Sequence, residues 1–397
     1  MSLAKTFLMK SFAISFLLLV SLFAHAGEKV LYSFQGGADG QLPLAGVVSD
    51  SAGNLYGTTK YGGSGPCTSA DGNGCGVIFK VSPSGQGWTE TVLYSFQGKG
   101  DGQYPIAGLA IDSSGNLYGT TPGVVGVGSC PPACGNIFEF SSVGAFTILH
   151  KFTGGVDGTL PTTGLTIDPS GRIYGTTDGS GHGTVFQISN SSGKWKLTTL
   201  YAFTGGNDGG DPTGPPLFGP DGSLYGGAAG IIYRLHFSTK WHEQVIYSFG
   251  KAGSPRDSLA FDAKGNVYTV TVNGYVCQLT PIGHVKWTEK VVHHFHGIYQ
   301  HHADGTRPAG GVAIDGTGNL YGVTIGGGNG EGTVYKVSWD GTKWNETILH
   351  NFNNESDGLA PIGLLIWGLD GNLYGVTQVG GNGCGAGGCG TVFEITP

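Results

Sequence analysis

Short hydrophobic stretches, separated by clusters of glycine, aspartate and serine, follow one another along the chain from about residue 30 to its end. In one representative unit, Ile106–Asp112 predicts a first strand, Asn116–Thr121 a second, Gly135–Phe140 a third and Phe146–Phe152 a fourth. Apolar, β-branched and aromatic residues bounded by turn-forming residues are typical of strands joined by hairpins. The pattern therefore predicts a unit of four short antiparallel strands.

This unit recurs seven times. Its anchor is a tyrosine on the second strand, usually within the tetrapeptide Asn-Leu-Tyr-Gly. The seven anchor tyrosines are Tyr56, Tyr118, Tyr174, Tyr225, Tyr268, Tyr321 and Tyr374. Their spacing of roughly 50 residues is the size of a propeller blade.

The two ends of the repeat array complement each other. Val30–Phe34 has the pattern of a fourth strand, whereas the array finishes on a third strand, Thr391–Ile395. The N-terminal stretch can therefore supply the outer strand that the last unit lacks, which leaves no open sheet edge. We predict an all-β protein, a seven-bladed β-propeller of four-stranded blades in which the N-terminal strand completes the last blade. A linear solenoid is the alternative.

The segment Gly108-Leu-Ala-Ile-Asp-Ser-Ser-Gly-Asn-Leu-Tyr-Gly119 resembles the bacterial GloVer tandem-repeat family. The likeness extends over nearly all of the chain, including Gly390–Ile395, and reaches more distantly to NHL and SMP-30/gluconolactonase-type propellers. It implies an exported repeat protein, often attached to the cell surface, without an established activity. SMP-30-type enzymes hold a divalent metal on non-repeated ligands at the ring centre. Those ligands have no residue-by-residue match here, so that activity is not carried over.

The N-terminus indicates export. Lys5 and Lys10 precede the apolar stretch Ser11–Phe23, and Ala24-His25-Ala26 follows as a cleavage site. This arrangement predicts a signal peptide over residues 1–26, because the apolar run is short for a membrane span; a buried N-terminal helix is the alternative. We expect residues 27–397 to form a single propeller domain, a secreted or periplasmic monomer with no membrane span after cleavage.

Composition narrows the class of protein. Charged residues make up 12% of the chain, aromatic residues 11%, and there are 76 glycines among 397 residues. Low charge with many aromatics argues against a disordered chain. A formal charge of −7 argues against non-specific binding of nucleic acid.

Six units carry an aspartate, followed by glycine, just before the first strand. These are Asp39, Asp101, Asp157, Asp208, Asp304 and Asp357. In a propeller this loop lies near the mouth of the central channel, so the six carboxylates could ring one face. Such a ring could bind Ca²⁺, which favours carboxylate oxygens, or a hydroxyl-rich ligand. The alternative is that each aspartate only caps its own turn.

Six of the seven cysteines form local pairs between second and third strands. The pairs are Cys67 with Cys75, Cys130 with Cys134, and Cys384 with Cys389. In an exported protein such pairs predict disulfides, with zinc binding as the alternative. Cys277 stands where the other units have an aromatic residue, so we expect it to be a buried free thiol.

Histidines cluster once, ahead of the sixth unit. His293 occupies a position that is tyrosine in other units and is expected to pack. The remaining four, His294, His296, His301 and His302, are candidate ligands for Zn²⁺ or Cu²⁺.

These features favour an exported, non-catalytic binding or scaffold propeller whose ligand is a carbohydrate or a cell-surface protein. The long cysteine-bearing loops of units seven, one and two make one sector of the loop-bearing face the expected site. Two alternatives remain: a metal-dependent hydrolase, lactonase or lyase, and a structural protein of the envelope or matrix. The sequence contains no Gly-x-Ser-x-Gly, phosphate-loop or His-Glu-x-x-His motif, and we assign no catalytic residue.

Overall fold

The computed structural model describes residues 27–397, except residues 71, 124–133, 180, 251–252, 284–285, 297–303, 329, 354–355 and 386. The predicted signal peptide therefore lies outside the described residues, as do Cys130, His301 and His302.

Twenty-eight strands make up the described fold, with one short 3-10 turn at Gly37–Asp39. The strands of the N-terminal half are β1 (Gly27–Ser33), β2 (Val48–Ser49), β3 (Leu55–Thr59), β4 (Val77–Ser84), β5 (Gly87–Ser95), β6 (Ala110–Ile111), β7 (Leu117–Thr121), β8 (Asn136–Phe140), β9 (Phe146–Lys151), β10 (Thr166–Ile167), β11 (Ile173–Thr177), β12 (Thr184–Ser191), β13 (Lys194–Ala202) and β14 (Leu217–Phe218). Those of the C-terminal half are β15 (Leu224–Ala228), β16 (Ile231–Phe237), β17 (Trp241–Ser248), β18 (Pro255–Phe261), β19 (Val267–Thr271), β20 (Tyr275–Ile282), β21 (Lys286–His294), β22 (Thr306–Ile314), β23 (Leu320–Gly326), β24 (Thr333–Trp339), β25 (Trp344–Asn351), β26 (Leu359–Trp367), β27 (Leu373–Val379) and β28 (Thr391–Thr396).

The strands form seven four-stranded antiparallel sheets, the blades of a β-propeller. Blades one to six are built from consecutive strands, beginning with β2–β5 and ending with β22–β25. Blade seven has the order β1-β28-β27-β26, so the N-terminal strand is its outer strand. Lys29 pairs with Glu394 and Val30 with Phe393 in this closing ladder. The predicted fold class and the predicted closure are both confirmed.

The anchor tyrosine of every blade donates a hydrogen bond to an aspartate in the turn between the first and second strands. The pairs are Tyr56–Asp50, Tyr118–Asp112, Tyr174–Asp168, Tyr225–Asp221, Tyr268–Asp262, Tyr321–Asp315 and Tyr374–Asp370, with oxygen–oxygen distances of 2.7 to 3.2 Å. The same carboxylates accept backbone N–H groups of their own turns, as Asp50 does from Ala52 at 2.9 Å. This repeated motif therefore holds the turn between the first two strands, on one face of the ring.

The glycine that follows the anchor tyrosine makes room for the blade core. Gly57 on β3 pairs with Phe79 on β4, and a Cβ at Gly57 would lie 2.5 Å from the Phe79 ring. Phe79 is fully buried, as are its counterparts in blades two, three, four, six and seven. Close approach to a ring, rather than a turn, is therefore the reason for glycine at this position.

Candidate functional site

Two sets of loops share one face of the ring, which we call the loop face. Because the strands of each blade are antiparallel, the loops between second and third strands emerge on the same side as the loops that lead from one blade to the next. The turns that contain the anchor aspartates lie on the opposite face. Long loops on a rigid scaffold are the usual place for a binding site.

The structure gives each of the six candidate aspartates partners within its own loop region. Five have a tyrosine hydroxyl or a histidine Nε2 seven residues earlier in the chain as a partner. The pairs are Tyr32–Asp39 at 2.8 Å, Tyr94–Asp101 at 2.9 Å, His150–Asp157 at 3.1 Å, Tyr201–Asp208 at 2.8 Å and His350–Asp357 at 3.2 Å. The sixth, Asp304, has His293 Nε2 at 3.8 Å and His296 Nδ1 at 3.7 Å.

Backbone N–H groups and hydroxyls of the same loops also donate hydrogen bonds to several of these aspartates. Asp208 accepts hydrogen bonds from the Thr204 amide at 2.9 Å and the Thr204 hydroxyl at 2.6 Å. Burial opposes ionisation of Asp208, but these hydrogen bonds and the one from Tyr201 hold its pKa below the ordinary value. The hydrogen bonds of Asp39, Asp101, Asp157, Asp208 and Asp357 thus give these five carboxylates a structural role in their turns. A ring of ligand-binding carboxylates stays a prediction.

The histidine cluster is only partly within the described residues. The ring of His294 stacks on Tyr275, with centroids 4.0 Å apart and an interplanar angle of 3°, and lies 4.9 Å from the ring of His296. Within the described ranges, no group of three or more His, Cys, Asp or Glu side chains is arranged to hold a metal ion. The metal-site prediction, which also involves His301 and His302, stays a prediction.

Two of the three predicted disulfides are present. Cys67 is bonded to Cys75 and Cys384 to Cys389, with Cα–Cα distances of 5.0 and 5.5 Å. The pair Cys130–Cys134 stays a prediction because Cys130 lies outside the described residues. Cys277 is a buried free thiol, as the sequence predicted, and burial raises its pKa.

The two disulfide-bonded loops border a common depression of about 680 Å³, which we call the stapled groove. It is lined by residues 35–37, 41, 63, 65–70, 72–74 and 384, from the loop that enters blade one and from the cysteine-bearing loops of blades one and seven. The described side chains that line it are uncharged, and several carry amides or hydroxyls: Gln35, Gln41, Thr68, Ser69 and Asn73. The sequence predicted this sector of the loop face but not a groove between two specific loops.

A second cavity, of about 600 Å³, lies at the centre of the ring, and we call it the channel cavity. All seven blades contribute lining residues, mainly from the innermost strands and the segments that enter them. Most of the wall is apolar or glycine, and its charged side chains are Asp178, Asp211, Arg256 and Asp257. None of the six repeated loop aspartates is among its lining residues.

A glutamate that was not predicted from the sequence recurs on the outer strand of five blades. In each of these glutamates Oε1 is buried without a hydrogen-bond partner among the described residues. The five are Glu28, Glu90, Glu243, Glu289 and Glu346. Four of the five are close enough to the aspartate in the loop that enters their own blade for its charge to act on them. The pairs are Glu28 with Asp357, Glu90 with Asp39, Glu243 with Asp208 and Glu346 with Asp304.

Burial and the neighbouring aspartate raise the pKa of each of these four glutamates to about 7. In blade five the partner differs, because the preceding loop lacks the aspartate. There Glu289 accepts a hydrogen bond of 2.6 Å from Tyr247. The spacing Trp-x-Glu in four of the outer strands was the available sequence signal, since Trp88, Trp241, Trp287 and Trp344 each stand two residues before the glutamate.

Comparison with known proteins identifies one sequence family. The model of the Gloeobacter/Verrucomicrobia repeat matches residues 21–229, 66–276 and 270–397, which together span nearly the whole chain. No curated protein matches the sequence.

Solved structures share the fold at low sequence identity. A streptogramin B lyase is 15% identical over 94% of this chain and 97% of its own, with a TM-score of 0.58. The virginiamycin B lyase from Staphylococcus aureus is 14% identical over 94% and 99%, with a TM-score of 0.59. The extracellular domain of a hybrid two component system from B. thetaiotaomicron is 14% identical over 92% of this chain and 39% of that one, with a TM-score of 0.58. At such identities these similarities show the propeller fold alone.

The two disulfides fit an extracellular or periplasmic location, where disulfides form and persist. In the described part of the chain, no helix has the length and apolar character needed to cross a bilayer.

Proposed function

The chain belongs to the Gloeobacter/Verrucomicrobia repeat family, and from this starting point we propose that it is an exported, non-catalytic binding propeller whose stapled groove takes a neutral oligosaccharide. The observation that carries the proposal is the groove itself, which lies between two disulfide-bonded loops and is lined by amides, hydroxyls and backbone.

The chemistry of the groove fits a hydroxyl-rich, uncharged ligand. A side-chain amide both donates and accepts hydrogen bonds, as a sugar hydroxyl does, so Gln35, Gln41 and Asn73 can pair with either role of the ligand. Glycines at six lining positions leave backbone groups accessible next to these side chains. A charged ligand would find no opposite charge among the described lining residues.

The groove is held in place before any ligand arrives. The amide of Leu42 donates to the carbonyl of Cys389 at 3.0 Å, and the amide of Gly63 donates to the carbonyl of Gly37 at 2.7 Å. These bonds join the entering loop of blade one to both disulfide-bonded loops. A site that is already ordered loses less conformational entropy on binding, which raises its affinity.

Export is part of the proposal. The predicted signal peptide, residues 1–26, would direct the chain to a compartment where the two disulfides form and persist. In such a compartment surface polysaccharides are available as ligands.

Isothermal titration calorimetry tests this function. The probes are cellotetraose, xylotetraose, laminaritetraose, maltotetraose and chitotetraose, with a galacturonic acid tetramer as the charged comparison. We expect at least one neutral probe to bind. Gln35→Ala and Asn73→Ala should each weaken that binding by about fivefold, the effect of losing one hydrogen bond of about 1 kcal/mol.

Gln97 provides a matched control. It occupies the same loop position one blade later. The backbone N–H of Gln97 donates to Asp101 at 2.8 Å, as the backbone N–H of Gln35 donates to Asp39 at 2.7 Å, but Gln97 does not line the groove. Gln97→Ala should therefore bind the probe like the parent. Failure of all neutral probes to bind, or equal losses in Gln35→Ala and Gln97→Ala, would contradict the proposal.

A further inference from the structure

The channel cavity carries charged side chains at positions where the repeats diverge. In the repeat alignment, Asp257 of blade five corresponds to Ala45, Ala107, Thr163, Gly214, Gly310 and Gly363 in the other blades. A residue that the fold required would recur from blade to blade, as the anchor tyrosine does. The charge at this position therefore needs another explanation.

Asp257 occupies this position at an energetic cost. Its φ is 44°, in the left-handed region, where blades six and seven use Gly310 and Gly363. Its Oδ2 accepts a hydrogen bond of 2.8 Å from the Gly310 amide of the next blade. Burial raises the pKa of Asp257, whereas that hydrogen bond and the charge of Arg256 lower it. Strained and desolvated charges of this kind are concentrated at functional sites.

Asp178 and Asp211 place two further carboxylates at the same cavity. Asp178 follows the second strand of blade three, and Asp211 precedes the first strand of blade four. Burial raises the pKa of Asp178, and the negative charge of Asp211 raises it further. In the described part of the chain neither residue forms an ion pair.

The cavity thus combines three carboxylates and one guanidinium with an apolar wall that includes Leu44, Ile106 and Ile362. The balance of charge favours a cation. The described carboxylates are not grouped so that three could hold one metal ion, which favours a cation larger than a metal. The volume of about 600 Å³ lies within the range of small-molecule sites.

We infer that the channel cavity binds a small organic cation with an apolar body, whose charged group lies at Asp178 and Asp211 and whose body contacts the wall. This site is separate from the stapled groove and does not depend on the function proposed for it.

Calorimetric titration of the purified protein tests the inference. The probes are benzylamine, cyclohexylamine, phenyltrimethylammonium and 1,5-diaminopentane, with benzyl alcohol as the neutral analogue and Ca²⁺ alone as the metal. We expect at least one of the four cations to bind and benzyl alcohol to bind at least about tenfold more weakly than benzylamine. Asp178→Asn and Asp211→Asn should each weaken cation binding by about tenfold, because each removes an opposite charge from a partly desolvated site.

Two variants serve as controls. Glu331→Gln removes a negative charge at an exposed position that does not line the cavity, and Gln35→Ala alters only the stapled groove. Both should bind the cation like the parent, with melting temperatures recorded for every variant to confirm folding. The inference is overturned if no cation binds at millimolar concentration, if folded Asp178→Asn and Asp211→Asn bind like the parent, or if Ca²⁺ alone binds and the organic cations do not.

Discussion

Thr269 and Cys277 lie opposite each other on β19 and β20 of blade five. In the other six blades the same pair of positions holds a glycine and an aromatic ring: Gly57–Phe79, Gly119–Phe138, Gly175–Phe186, Gly226–Tyr233, Gly322–Tyr335 and Gly375–Phe393. Both residues of the pair have changed together, the small residue becoming larger and the large one smaller. Thr269 and Cys277 therefore pack together as a pair that replaces the glycine–aromatic pair of the other blades.

A double-mutant cycle at this pair should show strong coupling. Cys277→Phe alone should destabilise the protein by about 1–3 kcal/mol, because the added ring meets the Thr269 side chain in a fully packed core. Adding Thr269→Gly should recover most of that loss by restoring the pair found in the other blades. Chemical denaturation of the parent, the two single variants and the double variant measures the coupling. Strictly additive effects would contradict this explanation of Cys277.

Repetition explains why so much of the fold could be predicted. The spacing of the seven anchor tyrosines gives the length of a blade. The extra strand Val30–Phe34 predicts that the N-terminus closes the ring by completing the last blade. The pairing of Thr269 with Cys277 was not apparent because the two positions are joined only by the register of β19 and β20. The positions of two residues in the sequence do not show whether they face each other across a hairpin until the register of its strands is known.

The closing strand should carry much of the stability of blade seven. Deleting residues 27–36 removes β1 and the fully buried Phe34, and leaves the edge of β28 unpaired. Loss of a buried phenylalanine alone typically costs about 3–5 kcal/mol, so the truncated protein should melt well below the parent. A synthetic peptide of residues 27–36, added in excess, should raise the melting temperature again. Equal melting of the truncated and parent proteins would contradict the role of β1.

The raised pKa values of four outer-strand glutamates predict that the stability of the fold falls as pH rises. For Glu28, Glu90, Glu243 and Glu346 the pKa is about 7 in the fold against 4.5 as the ordinary value. The folded protein therefore holds more protons between these pH values than the unfolded chain does. The stabilisation is fully present below about pH 4.5 and is lost as pH rises through about 7. We expect the melting temperature to decrease between pH 5 and pH 8.

The double variant Glu90→Gln and Glu243→Gln isolates this effect, because it removes two of the four groups without changing the shape of the side chains. It should show about half of the parent's decrease in melting temperature over this range. Asp39 and Tyr32 face Glu90, and Asp208 and Tyr201 face Glu243. The tyrosine pKa values are raised far above this range and the pKa of Asp208 is lowered below it. Glu331→Gln is the control, and a pH profile in the double variant as steep as that of the parent would contradict the assignment.

The candidate sites were harder to predict than the fold, and for a physical reason. The aspartate series recurs in six blades, and Asp101 and Asp208 each have hydrogen-bond partners in their own loops; ligand binding by this series stays a prediction. Asp257 and Asp178 interrupt the pattern, and only the closed ring brings them to one cavity. The stapled groove depends on Cys67 and Cys384, which are far apart in the chain and become neighbours only because β1 joins blade seven to blade one.

Hydrogen–deuterium exchange with and without ligand shows whether the stapled groove is the carbohydrate site, because it locates the bound oligosaccharide on the whole molecule. The probe is the tetrasaccharide that binds most tightly among the five neutral ones. We predict slower exchange in peptides that cover residues 35–41 and 63–74, with little change around Asp178 and Asp257 or in the turns on the opposite face. Protection confined to the channel cavity or to the opposite face, or no change at saturating ligand, would contradict the assignment of the stapled groove as the carbohydrate site.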